Sequence, residues 1–261
     1  MNRVQMISPR QTLMGMYGLL VREVIVYKRE YSRIISQLFS PIIWLVFLGA
    51  GLSASLDESQ FSGYTYQQIM FPGIIVMSVL FMTVFYGLYI VWDRKMDVLK
   101  AVLVSPQPRW GLFFGKVLGG ASQGVSQGLI ILLVGYPFVH YPLSAIPAVL
   151  FYVTLLSISL TALGLAMGSF FESFEGFQLT STFVVFPMLF LSGAFYLTND
   201  LPGWLHVAVR VNPLTYGVEA IRGLLTSETF NEYGYSVDAA ALILFTALSV
   251  LAGALSFNRI K

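Results

Sequence analysis

The sequence contains no cysteine, which excludes disulfides, thiolate metal ligands and cysteine nucleophiles and leaves the redox compartment open. Charge is also scarce. Only 11% of the 261 residues are Asp, Glu, Lys or Arg, against about 25% in a typical soluble domain. So few charges do not cover a soluble globule, so lipid must take up much of the surface, and a large soluble enzyme is the weakest reading. A net charge of +2 without a basic run gives no footprint for nucleic acid. The two histidines, His140 and His206, have no carboxylate cluster beside them in sequence, and no metal site is expected. The phosphate-cradling pattern G-x-x-x-x-G-K-[ST] is absent too. Its nearest approach is Gly115-Lys116, where Trp110 and Val117 break it. No Ser/Lys or Ser/His spacing marks an intramembrane hydrolase, and Glu172 and Glu175 read as solvated helix-end charges. The first 36 residues carry eight charges and no uninterrupted apolar core, so no cleavable signal peptide is expected.

What is present is apolar. Hydrophobic residues make up 56% of the chain and aromatics 15%, with a mean hydropathy of +0.74. A spanning helix needs roughly 20 mostly apolar residues. Six stretches meet that need: 38–56, 69–92, 113–139, 145–171, 179–197 and 239–257. The third is the weakest, interrupted by Ser122, Gln123, Ser126 and Gln127; the fifth contains Pro187. Short basic loops stay cytoplasmic. With six spans, 13 of the 15 Lys and Arg residues fall on the side of both termini, and only Arg210 and Arg222 face the other side. Both termini are therefore expected in the cytoplasm. The spans are nearly free of ionisable groups, and Lys116 is expected to snorkel from a helix mouth. That argues against a proton-coupled carrier.

Two segments are patterned without spanning. On a helical wheel of residues 17–35, Tyr17, Leu20, Val24, Tyr27, Tyr31, Ile34 and Ile35 share one side, while Arg22, Glu23, Arg29, Glu30 and Arg33 share the other. An amphipathic helix of this kind beside a membrane lies in the interface. Between the fifth and sixth spans, Asn199-Asp200 precedes Leu201-Pro202, and Asn212 precedes Pro213. A capping side chain before a first-turn proline reads as a helix start. Two short helices, 203–210 and 213–225, are expected, forming a re-entrant hairpin with Arg210, Asn212, Pro213, Glu219 and Arg222 as its candidate residues. Glu219 and Arg222 are three apart and can pair on one face; Arg210 is a second candidate partner.

Other features keep two readings. Gly120, Gly124 and Gly128 allow close helix approach, either inside the bundle or at a dimer seam. The aromatics Phe81, Phe85 and Tyr89, with Phe183, Phe186 and Phe190, line a hydrophobic pathway or else face lipid; Tyr86 and Trp92 accompany them. The loop from 93 to 110 holds a short amphipathic helix, about 96–104, that stops at Ser105-Pro106. Facing the cytoplasm, such a stub suits a groove on a partner protein.

Three blocks then carry a resemblance. Ile69-Met70-Phe71-Pro72-Gly73 opens the second span; Leu99-Lys100-Ala101-Val102-Leu103-Val104-Ser105-Pro106 lies in the first cytoplasmic loop; LSGAFY, LPGWL and NPLTYGVEAIRG fall between Phe190 and Arg222. Together they resemble permease subunits of the type-2 ABC transporter family, which includes drug, polysaccharide and lipo-oligosaccharide exporters. The resemblance implies an all-α integral membrane fold with six transmembrane helices, an amphipathic elbow helix, a coupling helix and an outer-face re-entrant hairpin. Residues 1–36 would be the interfacial segment and 37–261 a single six-helix domain. The coupling helix would use Lys95, Asp97, Val98, Leu99, Lys100, Val104, Ser105 and Pro106. Two copies would form the pathway in a prokaryotic inner membrane, driven by two P-loop ATPase subunits that carry the ATP and magnesium, this chain holding no cofactor. The exported substrate would be hydrophobic or amphipathic: a drug, a lipid, or a lipid-linked or polysaccharide glycan. A gradient-driven carrier or channel is the alternative, and an intramembrane enzyme stands behind it. A neighbouring gene for a P-loop ATPase would separate the first reading from both others.

Overall fold

A computed structural model describes residues 9–55, 61, 63–96, 108–198 and 201–257. Among them the regular structure is helical, with no strand. Helix α1 (Pro9–Arg29) and α2 (Tyr31–Ile43) meet at Glu30, so the expected single amphipathic helix is broken there. Helix α2 passes residues 36–37 without interruption and continues through a π-helical stretch, Trp44–Gly49, into α3 (Ala50–Ser53). Then come α4 (Tyr66–Phe85), α5 (Leu88–Lys95), α6 (Arg109–Val139), α7 (Ile146–Phe170), α8 (Phe174–Phe190), α9 (Gly203–Val211), α10 (Pro213–Leu225) and α11 (Tyr235–Phe257). Among the described residues five helical stretches are long and apolar enough to cross a membrane: Ile34–Ser53, Tyr66–Lys95, Arg109–Val139, Leu143–Phe170 and Tyr235–Phe257. Helix α8 is apolar but shorter, at 17 residues.

Helix α4 is the axis of the bundle. Its start is fixed by a reciprocal cap: the Thr65 side chain accepts from Gln68 N–H while Gln68 Oε1 accepts from Thr65 N–H. From there it is apolar on every side, the pattern of a helix enclosed by others, and nearly all of it is buried. Helices α6, α7, α8 and α10 pack around it, and α11 runs along α7. The third span, weakest in sequence, forms the longest helix, 31 residues. Its polar positions Gln123 and Gln127 are buried rather than exposed to lipid.

Glycines decide how closely these helices approach. Side chains added at Gly120 and Gly124 would collide with Tyr86 and Thr83 around α4 and with Thr161 and Ser157 on α7; one at Gly128 would collide with Val153 on α7 and touch Val79 on α4. That stripe is an internal packing surface, as small residues at helix interfaces allow. A second stripe, Gly111, Gly115 and Gly119, faces Thr12, Leu19 and Glu23, and so receives α1.

Candidate functional site

Charged side chains are buried at both ends of the α4–α5 axis. Ile69 and Asp93 mark the two ends, about 36 Å apart at 1.5 Å per residue.

At the α1 end, Lys116 lies two turns into α6 and is 2% exposed. Its Nζ donates to Asp93 Oδ2 at 2.6 Å and stands 3.8 Å from Glu23 Oε1. Arg22 approaches the same Glu23 oxygen at 3.6 Å. Cations and carboxylates thus alternate, and the four-residue chain is neutral. The expected snorkelling of Lys116 is corrected. Gly115 and Gly119 bring α1 against α6 and close the way to water, so the ammonium turns to carboxylates instead. The same contact turns Glu23 inward, although the wheel placed it on the outward charged side. Tyr17, Tyr31 and Ile35, which the wheel placed on the apolar side, are exposed. The spans are therefore less free of charge than expected, since α5 continues past Trp92 to include Asp93 and α11 starts early enough to include buried Asp238.

At the other end, the two short helices form as expected. Asn212 starts the second: its Oδ1 accepts from Leu214 N–H at 3.1 Å, and its Nδ2 donates to Met188 O at 2.6 Å. Arg222 is 1% exposed, yet it does not pair with Glu219. Its Nε donates to Ile69 O at 3.0 Å and a terminal nitrogen donates to Gly193 O at 2.6 Å. The pairing inferred from their spacing is corrected. Gly193 O lies past the end of α8, where carbonyls have no helical donor, and the guanidinium fork supplies one. Arg210 is not the partner of Glu219 either; it donates to the Tyr233 hydroxyl at 3.3 Å and lies over that ring.

Glu219, also 1% exposed, accepts from Thr198 Oγ1 at 3.0 Å through one oxygen; its other oxygen has no hydrogen-bond partner. Thr198 also lies 3.4 Å from Glu232 Oε2, and His206 lies 3.8 Å from Glu232 Oε1. Burial raises the Glu219 carboxyl from 4.5 to about 7, with the Thr198 hydrogen bond pulling the other way. Burial likewise lowers Arg222 to about 10, opposed by the charge of Glu219. No group of three His, Asp or Glu among the described residues could hold a metal. Two of the three sequence blocks meet here. A side chain on Gly73 would strike the backbone of Ala194, so the Pro-Gly turn of α4, the LSGAFY turn and Arg222 share one junction.

Between the two ends runs an aromatic ladder. Phe81 stacks on Phe85 at 6.0 Å and meets Phe186 edge-on at 5.9 Å; Phe186 stacks on Phe190 at 6.1 Å. Phe195 then links Phe190 to Trp44. Four of the six expected pathway aromatics are joined. Tyr89 is outside the stack, against Tyr86 and hydrogen-bonded to Glu30, but lines a cavity beside it; Phe183 is 78% exposed. Beside the ladder lie two cavities of about 330 and 260 Å³ that share Gln37, bordered by Phe85, Leu88 and Trp92 in one and by Ser40, Met77 and Phe81 in the other. The larger is within the size of small-molecule sites, roughly 300–1,000 Å³.

Of the expected coupling helix, Lys95 closes α5 with its ammonium 4.2 Å from the centre of the Phe174 ring. Asp97, Val98, Leu99, Lys100, Val104, Ser105 and Pro106 lie outside the described residues. Sequence reasoning missed Glu23, Asp93, Thr198, Asp238 and Gln37 as site residues. The signal for the first was available: Gly111, Gly115 and Gly119 repeat every four residues, and Thr12, Met16, Leu19 and Glu23 on α1 repeat at three or four.

Apolar membrane-length helices with a cavity-lined interior and buried charges at both ends make an integral membrane transport protein. The comparisons place it further: the chain belongs to the ABC-2 type transporter family, whose profile matches residues 15–226. It is 26% identical to the inner membrane transport permease YadH of Escherichia coli strain K12 over 224 residues, 80% of this chain and 84% of that one. Nodulation protein J of Rhizobium meliloti is 25% identical over 230 residues, 83% of this chain and 86% of its own length. The chain is thus a membrane permease.

Proposed function

We propose that this permease is the membrane half of an ATP-driven exporter, energised by separate ATPase subunits. The observation that carries the reading is a permease bundle matched along 15–226 to the ABC-2 family, in a sequence with no P-loop. On this reading α8 is the fifth of six spans, about 26 Å long at 1.5 Å per residue, and its shortness is made up by the turn that follows it. Both termini face the cytoplasm, as the distribution of basic residues requires. The membrane is the inner membrane, in keeping with the name of the Escherichia coli relative. Helix α1 is an interfacial elbow. The α9–α10 hairpin re-enters from the outer face, since backbone at membrane depth is tolerated where it packs against protein.

Two copies assemble around the open face of α8, the face opposite the buried stripe Phe177, Ser181, Val185 and Leu189. A hydrophobic or amphipathic substrate, drug, lipid or lipid-linked glycan, follows the Phe81–Phe190 ladder and its cavities. Nucleotide binding closes a pair of P-loop subunits, and residues 96–106 pass that motion to the spans. Buried Asp238, with one oxygen lacking a hydrogen-bond partner, favours the gradient-driven carrier as the second reading.

One experiment separates them. Purified chain is expected to run as a homodimer and to hydrolyse MgATP only when a P-loop subunit from the same operon is bound. Replacing Asp97, Leu99 and Val104 with bulky or opposite-charge residues is expected to abolish that coupled turnover without reducing membrane insertion. Turnover by the chain alone, or full turnover from the triple variant, would sink the reading.

A further inference from the structure

We infer that Glu23, Lys116 and Asp93 form the joint that makes α1 answer to the segment 97–107, a role that rests on reading that segment as the contact with an ATPase subunit. Asp93 sits on α5, two residues before its end, and Lys116 sits on α6, seven residues after its start. These two helices are the ones that enter and leave 97–107. Their direct link is the 2.6 Å hydrogen bond from Lys116 to Asp93. Helix α1 is the third member. It lies in the trough above Gly111, Gly115 and Gly119, where added side chains would strike Thr12, Leu19 and Glu23. Along this contact α1 offers one carboxylate, Glu23, and it reaches the ammonium that Asp93 also holds. The point above Gly119 is also within 3.2 Å of the Tyr86 hydroxyl, at the join between α4 and α5. Three helices, α1, α5 and α6, therefore converge on one ammonium.

Chemistry makes this more than packing. Apolar side chains at 23, 93 and 116 together would hold three helices without charge, and buried ion groups replaced as a set by apolar ones often lose no stability. A buried charge, however, allows little change in partner distance, because an unpaired charge in a closed site is expensive. If 97–107 moves α5 and α6 against each other, Lys116 keeps its carboxylates only if Glu23, and with it α1, moves too. An apolar contact would slip. The joint thus converts a displacement at the loop into a displacement of the interfacial helix. Glu23, Asp93 and Lys116 are positioning residues in this account and touch no substrate.

The test uses hydrogen exchange of α1 amides in the full chain, with and without the P-loop subunit and a non-hydrolysable ATP analogue. In wild type, subunit binding is expected to change exchange across residues 12–27. In the neutral triple variant Glu23→Gln, Asp93→Asn, Lys116→Met, the subunit still binds, melting stays close to wild type, and α1 no longer responds. Coupled MgATP turnover is expected to fall by about tenfold, while α1 exchange in the chain alone rises by about tenfold as local opening becomes easier. Asp93→Asn alone, which leaves Lys116 neutralised by Glu23, serves if the triple variant does not fold; it is expected to show the same loss of response. An α1 response equal to wild type in either variant overturns the joint. If no subunit binds wild type, the exporter reading fails instead, and unchanged α1 exchange in the isolated triple variant then overturns the joint separately.

Discussion

At the α1 end of the bundle a buried lysine is held by two carboxylates; at the hairpin end a buried arginine is held by two main-chain carbonyls, while a carboxylate nearby keeps one oxygen unbonded. The first arrangement is charge matching among side chains from three helices. The second is a cap: a cation satisfies carbonyls, and its net charge is left to Glu219 and the surrounding dipoles. Side chains that match charge can be neutralised together. A guanidinium that caps carbonyls has no neutral replacement of the same shape, because its five donors sit in a fixed fork.

That difference orders the expected effects. Arg222→Met should be the most damaging substitution, since it strips donors from Ile69 O and Gly193 O and unpins the hairpin from α4. A loss of about 3–5 kcal/mol is expected, read as a large drop in melting temperature in detergent and free labelling of a cysteine placed at Val218, which is now fully buried. Lys116→Met alone should cost nearly as much, because it leaves two carboxylates facing each other in a closed site. If instead it melts like wild type, the charge chain is not what holds α1.

Next comes packing. Gly124→Ala should cost about 1–3 kcal/mol by overpacking, because its new methyl would strike Thr83 and come within 2.6 Å of Ser157 Oγ. Gly51→Ala, with nothing within 4 Å, should be neutral and is the control. Equal melting temperatures would show that the α6 stripe is not a tight seam.

The effect that sharpens the comparison most is the pH dependence of Glu219. Its carboxyl is raised from 4.5 to about 7 by burial, so the folded chain holds this proton more tightly than the unfolded one. Its contribution to stability therefore declines as pH rises from about 4.5 to about 7 and is level above that. Glu219→Gln should remove the decline. Melting temperatures compared at pH 5 and pH 8 should converge between wild type and variant at pH 5 and separate at pH 8, the variant being higher. Identical pH profiles would mean that Glu219 is solvated.

Much of the fold was legible before any coordinates. The stretch 69–92 carries no charge and became the enclosed helix α4 and most of α5. Asn212-Pro213 announced the start of α10, and the glycine spacing on α6 announced close helix contact. The candidate site was less legible. Glu219 and Arg222 are three apart in a helix, and local spacing offers their pairing; the carbonyls of Ile69 and Gly193 that take Arg222 instead lie 153 and 29 residues away. Lys116 lies near a helix mouth, where a long side chain commonly reaches water. Nothing local says that α1, separated from it by some 90 residues, covers that mouth.

Sequence by itself determined that this protein meets lipid, that it holds stretches long and apolar enough to span, and where its short helices start. Those properties depend on hydropathy summed over 20 residues, on charge counts and on caps, all of which act within one segment. Only the tertiary structure decided which stripe of glycines receives α1, that Lys116 is enclosed between Asp93 and Glu23, and that Arg222 serves carbonyls rather than Glu219. Each of those outcomes depends on which groups from distant segments arrive within about 3 Å, the range at which a hydrogen bond forms and a buried charge is compensated.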